Sequence, residues 1–320
     1  RASRPFFHAP GGSRSLTGPR TYLSPNSDFN MTSIQRLLGY WVIAIVLSTT
    51  GLAFTQDKNL EFSKLKNHLT FLASFDESFD ADFAKGNKKV MTASEVSRKT
   101  ITDGLAIDGI GLSPDGKWGQ AIDFKIKTKK IACYGVKDNF PYSAKSFDAT
   151  VSFWMRTDLA NLPKGFIDPL QITDKKWDDS SIFVDFNDKP VRDFRLGVFS
   201  DLKFWNPENA KLDDLPQQQR PMIDAGHVKF SKAKWIHIVI TLNGINHGQE
   251  TLCKLFMDGK LVGKLNRRQQ FTWDLEKAFI MIGIYYVGQI DDFAIFKKAL
   301  TPKQVQSIYL SPNSLSSLLK

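Results

Sequence analysis

Two adjacent aspartates, Asp291 and Asp292, sit in the middle of an otherwise apolar run from Gly288 to Phe296. Phe293 and Ile295 alternate with their neighbours as in a strand that buries one face. The run leads through Ala299-Leu300 to Thr301-Pro302, a helix cap followed by proline at the first helical position, so a short C-terminal helix is predicted after it. Adjacent side chains on a strand point to opposite faces, so one of the two carboxylates must look inward or along a sheet edge. There an ionised carboxylate needs a cation or a ring of donors. Asp291 shares its parity with Phe293 and Ile295, which makes it the one expected to face a cation.

Further strand-like runs fill the chain between residues 69 and 284, among them 69–75, 116–124, 131–136, 149–156, 182–186, 194–199, 235–242 and 251–265. In 149–156 the residues Val151, Phe153 and Met155 alternate with Ser152, Trp154 and Arg156. Asp258-Gly259 is a strong hairpin signal. Residues 201–221, with Asn206-Pro207 and Leu215-Pro216, have no strand period and read as a long surface loop, a kind of segment that often carries binding. Many strands with loops and almost no helix predict an all-β, antiparallel two-sheet sandwich, since a parallel sheet would need crossover helices.

The run Gly288-Gln289-Ile290-Asp291-Asp292-Phe293 to Ala299-Leu300-Thr301 resembles the closing strand of laminin-G-like, concanavalin A-like jelly-roll domains. Two more stretches resemble that family in the right order: Phe147-Asp148-Ala149-Thr150-Val151-Ser152-Phe153-Trp154, and residues 235–242 leading to Leu255-Phe256-Met257-Asp258-Gly259-Lys260. The resemblance covers residues 69–309 and implies a concanavalin A-like jelly roll. It also implies calcium ligands in the acidic loop after the first strand, at Asp76, Asp80 and Asp82, opposite the closing strand. The expected calcium site therefore joins Asp76 or Asp80 to Asp291 or Asp292. A hard cation asks for six to eight oxygens, and Lys85 stands in this loop where the family has a small polar residue.

Catalytic patterns are sparse. Retaining glucan hydrolysis needs two carboxylates about 5 Å apart, which alternate acids on one strand supply. No Glu-x-Asp run of that kind occurs, and Asp178-Asp179 and Asp213-Asp214 are adjacent pairs in loop-like sequence. There is no Gly-x-Ser-x-Gly elbow, no phosphate loop and no zinc spacing. His237, between Ile236 and Ile238, reads as a core histidine. Among the aromatics, Trp118, Trp154 and Trp235 fall in strands and read as core. Trp177, Trp205 and Trp273 lie in less regular sequence and are the candidate ligand-binding residues, since an exposed indole stacks on a sugar ring or anchors a protein.

The sequence so read describes a non-catalytic binding module for a glycan, an anionic polysaccharide among them, or for a protein. Its rivals are a glycosidase with carboxylates from separate strands and a structural adhesion module. The organisation expected is a disordered or overextended start at 1–30, a signal peptide at 31–55, a lead-in at 56–68, the jelly roll at 69–310 and a loose tail at 311–320. Arg36, the apolar stretch 37–47 and the small residues before Gln56 give the export signal, its alternative being an uncleaved anchor over 37–54. Export implies a secreted, periplasmic or cell-surface protein with no membrane span left after cleavage. The formal charge is +10, of which residues 1–55 supply +4. The remaining lysines are scattered as on a solvated surface, so no nucleic-acid partner is expected. Cys133 and Cys253 both lie in strand-like runs and read as buried thiols, a single bridge between them being the alternative.

Overall fold

The computed structural model describes residues 60–320. The expectations for 1–55, and for residues 56–59 of the lead-in, lie outside the described residues. Two antiparallel sheets form a sandwich. The first runs Lys260–Arg268, Glu250–Met257, Ile236–Ile245, Phe147–Arg156, Gly288–Phe296, Leu69–Ala73, Phe83–Ala84. Ala121–Phe124 pairs with residues 288–290 of the closing strand, and Ile110–Ser113 lies beyond it. The second runs Met222–Asp224, Phe194–Phe199, Ser181–Phe186, Ile167–Thr173, Phe279–Ile284, Ile131–Gly135, Met91–Ala93, Ile101–Asp103. The first and last strands of the domain are paired in the middle of one sheet, as the predicted jelly roll requires.

The sandwich closes because alternate residues of facing strands are apolar. Val151, Phe153 and Met155 share one buried core with Ile182, Val184, Leu196 and Val198, each worth about 1.5–3 kcal/mol when fully buried. The predicted hairpin is formed with Asp258 at φ +48° and Gly259 at φ +74°, the left-handed pair that matches strand twist. Residues 201–221 form the predicted loop, held by one helical turn, Leu202–Trp205, and two single 3-10 turns. Ile167–Thr173 is a strand that the periodicity did not signal: Pro169 interrupts it, and its pairing with Ser181–Phe186 slips there. Cys133 and Cys253 are buried and unbridged, one in each sheet.

The closing strand departs from simple alternation. Ile290, Phe293 and Ile295 all enter the core between the sheets, while Ala294 and Phe296 face the other way. Core positions three apart and then two apart need an extra residue. That residue is Asp292, at φ +50°, where the pairing with Phe147–Arg156 slips. It is a β-bulge, and it removes Asp291 from the face of Phe293 and Ile295, correcting the parity expected from the sequence.

The outer face of the first sheet is covered by the chain's own end. The helix Pro302–Tyr309 starts with a capping box between Thr301 and Gln304 and buries Val305 and Ile308. The segment expected to be a loose tail is packed: Leu315 and Leu318, one 3-10 turn apart, are buried against the same sheet with Leu65, Phe256 and Phe296.

Candidate functional site

The outer face of the second sheet has no such cover. Ile172, Val184 and Leu196 point inward, so Gln171, Phe183, Asp185 and Arg195 point out. Phe183 lies over Gly197 of the next strand, where a Cβ would come within 2.3 Å of its ring. The ring stacks on Phe199 at 5.4 Å and 25°. Trp177 and Trp205 both meet Phe199 edge-on, at 5.5 and 5.0 Å, and the Trp205 Nε1–H donates to the Asp178 carbonyl at 2.9 Å. These contacts pin the 201–221 loop as one wall of a groove of about 680 Å³. Trp177 is 44% exposed at its rim and Phe166 58% exposed.

The floor is polar. Asp185 takes a two-pronged hydrogen bond from Arg195, with Nε 2.9 Å from Oδ1 and Nη2 on Oδ2, and the Arg195 guanidinium lies 5.6 Å from the centre of the Phe166 ring. Gln171 is 1% exposed and its Nε2 has no partner. Such an orphan amide carries a desolvation cost of about 1–3 kcal/mol unless something else bonds it. Asp168 is half-buried beside them. Burial first, and then the Asp185 charge, hold its carboxyl well above the usual carboxylate range against the pull of Arg195.

Two of the three candidate tryptophans, Trp177 and Trp205, thus meet in one groove. Trp273 does not reach it. It is 7% exposed, stacks on Tyr142 at 5.3 Å and gives its Nε1–H to the Ser180 carbonyl at 2.6 Å. Its irregular sequence context reflects a core position reached by a loop, so it is a packing residue and not a ligand contact. Phe166, Asp168, Gln171, Asp185 and Arg195 were missed, three of them because they lie on or beside the strand that Pro169 disguises.

The four acids expected to hold calcium each have partners within the protein, and the charge of Asp76 reaches Asp292. Among the described residues no three His, Cys, Asp or Glu side chains gather where they could hold a metal. Asp80 bonds Lys89 Nζ at 2.7 Å and the Val90 amide at 2.9 Å, and Asp76 Oδ1 accepts the Gln120 amide at 3.0 Å. Asp291 Oδ2 accepts the amides of Lys117 and Trp118 at 2.6 and 3.1 Å. Asp292 accepts the Ser314 hydroxyl at 2.7 Å and the Leu315 amide at 2.8 Å. Protein donors thus use both oxygens of Asp80 and of Asp292 and one oxygen each of Asp76 and Asp291. Through these bonds Asp291 ties down the 116–119 loop and Asp292 the C-terminal segment. Burial and then the Asp292 charge push Asp291 up to about 8, and burial pushes Asp292 up to about 7.

Residues 137–306, more than half of the chain, match the family model of the concanavalin A-like lectin/glucanases superfamily. The chain belongs to that superfamily.

No curated protein matches this superfamily member. Solved structures similar to it include domain 4 of AbnA, a GH43 extracellular arabinanase from Geobacillus stearothermophilus, in complex with arabinotriose, at 15% identity and a TM-score of 0.47 over 76% of this chain and 98% of that one. The binding domain of botulinum neurotoxin DC in complex with SialylT is similar at 14% identity and a TM-score of 0.49, over 80% of this chain and 52% of that one. The binding domain of Paraclostridial Mosquitocidal Protein 1 is similar at 16% identity and a TM-score of 0.44, over 77% and 52%. The chain spans about half the length of these two toxin chains.

On this concanavalin A-like sandwich, the pair that most looks like hydrolytic machinery is Ser152 with His237, whose Oγ and Nε2 lie 2.9 Å apart. Both are fully buried, with the His237 ring stacked beside Trp154 at 4.7 Å and Tyr309 lying against both rings, at 6.3 Å from His237 and 5.8 Å from Trp154. Burial, then the Lys117 charge, push the imidazole down to about 3. Asp258 Oδ1 accepts from the His237 backbone amide and not from the ring, so no acid orients the base. Among the described residues no helix is long and apolar enough to cross a membrane.

Proposed function

We propose that this protein is a carbohydrate-binding module whose site is the groove between the outer face of the second sheet and the 201–221 loop. The observation that carries the reading is the unpartnered, buried Gln171 amide in a groove rimmed by the exposed Trp177 and Phe166. Aromatic faces take the C–H face of a sugar ring, and a hydroxyl supplies the acceptor that the amide lacks. Binding fits the groove better than hydrolysis. Its two floor carboxylates, Asp168 and Asp185, come from neighbouring strands, but Arg195 occupies both oxygens of Asp185, which leaves it a poor nucleophile or base.

The test is a glycan array on the full chain, followed by titration of the best ligand. Trp177→Ala is expected to weaken binding about tenfold, the loss of one stacking contact of roughly 1.4 kcal/mol. Reducing-sugar release that persists over many turnovers and disappears in Asp168→Ala would replace binding with hydrolysis. We also propose that the module is exported. Sequencing the amino terminus of the mature protein is expected to find a start near Gln56, and a product retaining residues upstream of Met31 would refute it.

A further inference from the structure

We infer that the groove takes an uncharged carbohydrate, and that Asp168 and Gln171 are the residues that select it; this rests on the carbohydrate-binding reading above. The charges around the groove are the first reason. Asp178 and Asp213, at its edge, have cations of their own, Lys176 at 3.4 Å and Arg220 at 3.8 Å, so the floor decides, with Asp168 and Asp185 beside Arg195. Arg195, the base on the floor, already directs Nε and Nη2 at Asp185. The fork that would grip a sulfate or uronate is therefore in use, and an anionic ligand would find the one cation of the floor already committed.

The hydrogen-bonding groups on the floor are the second reason. Gln171 Nε2 is a donor without a protein acceptor among the described residues, and its side chain lines the groove floor, the side from which an acceptor can come. The Asp168 carboxyl, on the same strand, takes no hydrogen bond from another side chain or amide among the described residues, and burial and the Asp185 charge raise it. A sugar hydroxyl both donates and accepts without charge, so it can accept from Gln171 and bond Asp168 in either protonation state. The raised Asp168 carboxyl agrees with this, because a protonated acid can also donate to a hydroxyl. A site built on buried polar groups rejects ligands that leave those groups unpaired. The +10 charge of the whole chain thus does not describe this site, and the anionic polysaccharide named among the expected ligands does not fit it.

Calorimetric titration of the full chain decides the matter, with neutral arabino-, gluco- and galacto-oligosaccharides set against polygalacturonate and sulfated galactan oligosaccharides of equal length. At least one neutral series is expected to bind, with every anionic one about tenfold weaker or more, as expected for one misplaced charge. Gln171→Met keeps the side-chain shape and removes the orphan amide, so it is expected to lower affinity about tenfold while leaving the melting temperature unchanged or raised. Asp168→Asn is expected to stay within about threefold of wild type and Asp168→Ala to lose about tenfold, since the amide keeps hydrogen bonding and the methyl does not. Anionic oligosaccharides binding as tightly as neutral ones, and still lost in Trp177→Ala, would overturn the uncharged class while leaving the groove as the site. Affinity unchanged in Gln171→Met would overturn its selecting role. Oligosaccharide binding indifferent to Trp177→Ala would bring down the groove reading itself.

Discussion

The two outer faces of the sandwich begin alike and end differently. Each carries aromatic side chains next to polar ones: Trp154, His237 and Ser152 on the first sheet, Phe183, Gln171 and Asp185 on the second. The first face is closed by the chain's own end, with Tyr309 stacked on Trp154 at 5.8 Å and Val305, Ile308, Leu315 and Leu318 packed below. The second is flanked by a loop that touches it through Trp205 and leaves a groove. Covering an aromatic surface converts it to stability, whereas leaving it open leaves the surface the proposed ligand would use. Which happens depends on whether a segment with a matching apolar stripe follows in the chain, as the C-terminal helix does for the first sheet.

The largest effects should separate covered from open positions. Trp273→Ala is expected to destabilise the fold by about 3–5 kcal/mol and Ile308→Ala by about 2–5 kcal/mol, read as shifts of the urea midpoint. Trp177→Ala, on the open face, should change it by no more than about 0.5 kcal/mol. A Trp177 variant as unstable as the Trp273 one would mean that the groove wall is part of the core.

A middle-sized effect concerns pH. The carboxyls of Asp291 and Asp292 hold protons in the fold up to about 8 and about 7, while in the unfolded chain they release them near pH 4. The native state therefore binds more protons between these limits, and stability falls as pH rises through that window. Buried His237, with its pKa near 3, acts the opposite way below about pH 6.5, where the unfolded histidine gains a proton. Above that only the fall remains, so the melting temperature should drop between about pH 6.5 and 8. Asp291→Asn should flatten the drop. A wild-type curve flat over this range would show that the Lys117 and Trp118 amides already hold Asp291 ionised.

The smallest expected effect is that of chelation. Since amides and hydroxyls occupy the acids of the first and closing strands, melting curves in calcium and in EDTA should coincide. A calcium site loaded a hundredfold over its Kd would instead lower the midpoint on chelation by an amount equivalent to about 2.7 kcal/mol, and such a fall, abolished in Asp291→Asn, would restore the cation.

Local signals were legible from residues alone. The closing strand, the Asp258-Gly259 hairpin and the helix opening at Thr301-Pro302 rest on side-chain alternation, left-handed φ and capping, each set within a few residues of chain. Their resemblance, in order, to one family implied the jelly roll, and the missing strand period marked the 201–221 loop. The strand Ile167–Thr173 was hidden by Pro169, and with it Asp168 and Gln171, so the floor of the groove had no signal of its own.

Sequence by itself determined most of the strands and that they form an antiparallel two-sheet sandwich, because period and turn chemistry act between near neighbours, and the family resemblance narrowed the sandwich to a jelly roll. Tertiary structure alone decided that Trp177 is open while Trp273 is buried, that a bulge at Asp292 takes Asp291 off the core face, and that amides from residues 117, 118 and 315 reach the two aspartates. Those outcomes depend on partners more than twenty residues away, and the identity of such a partner is fixed by sheet register and loop path, which no local pattern encodes.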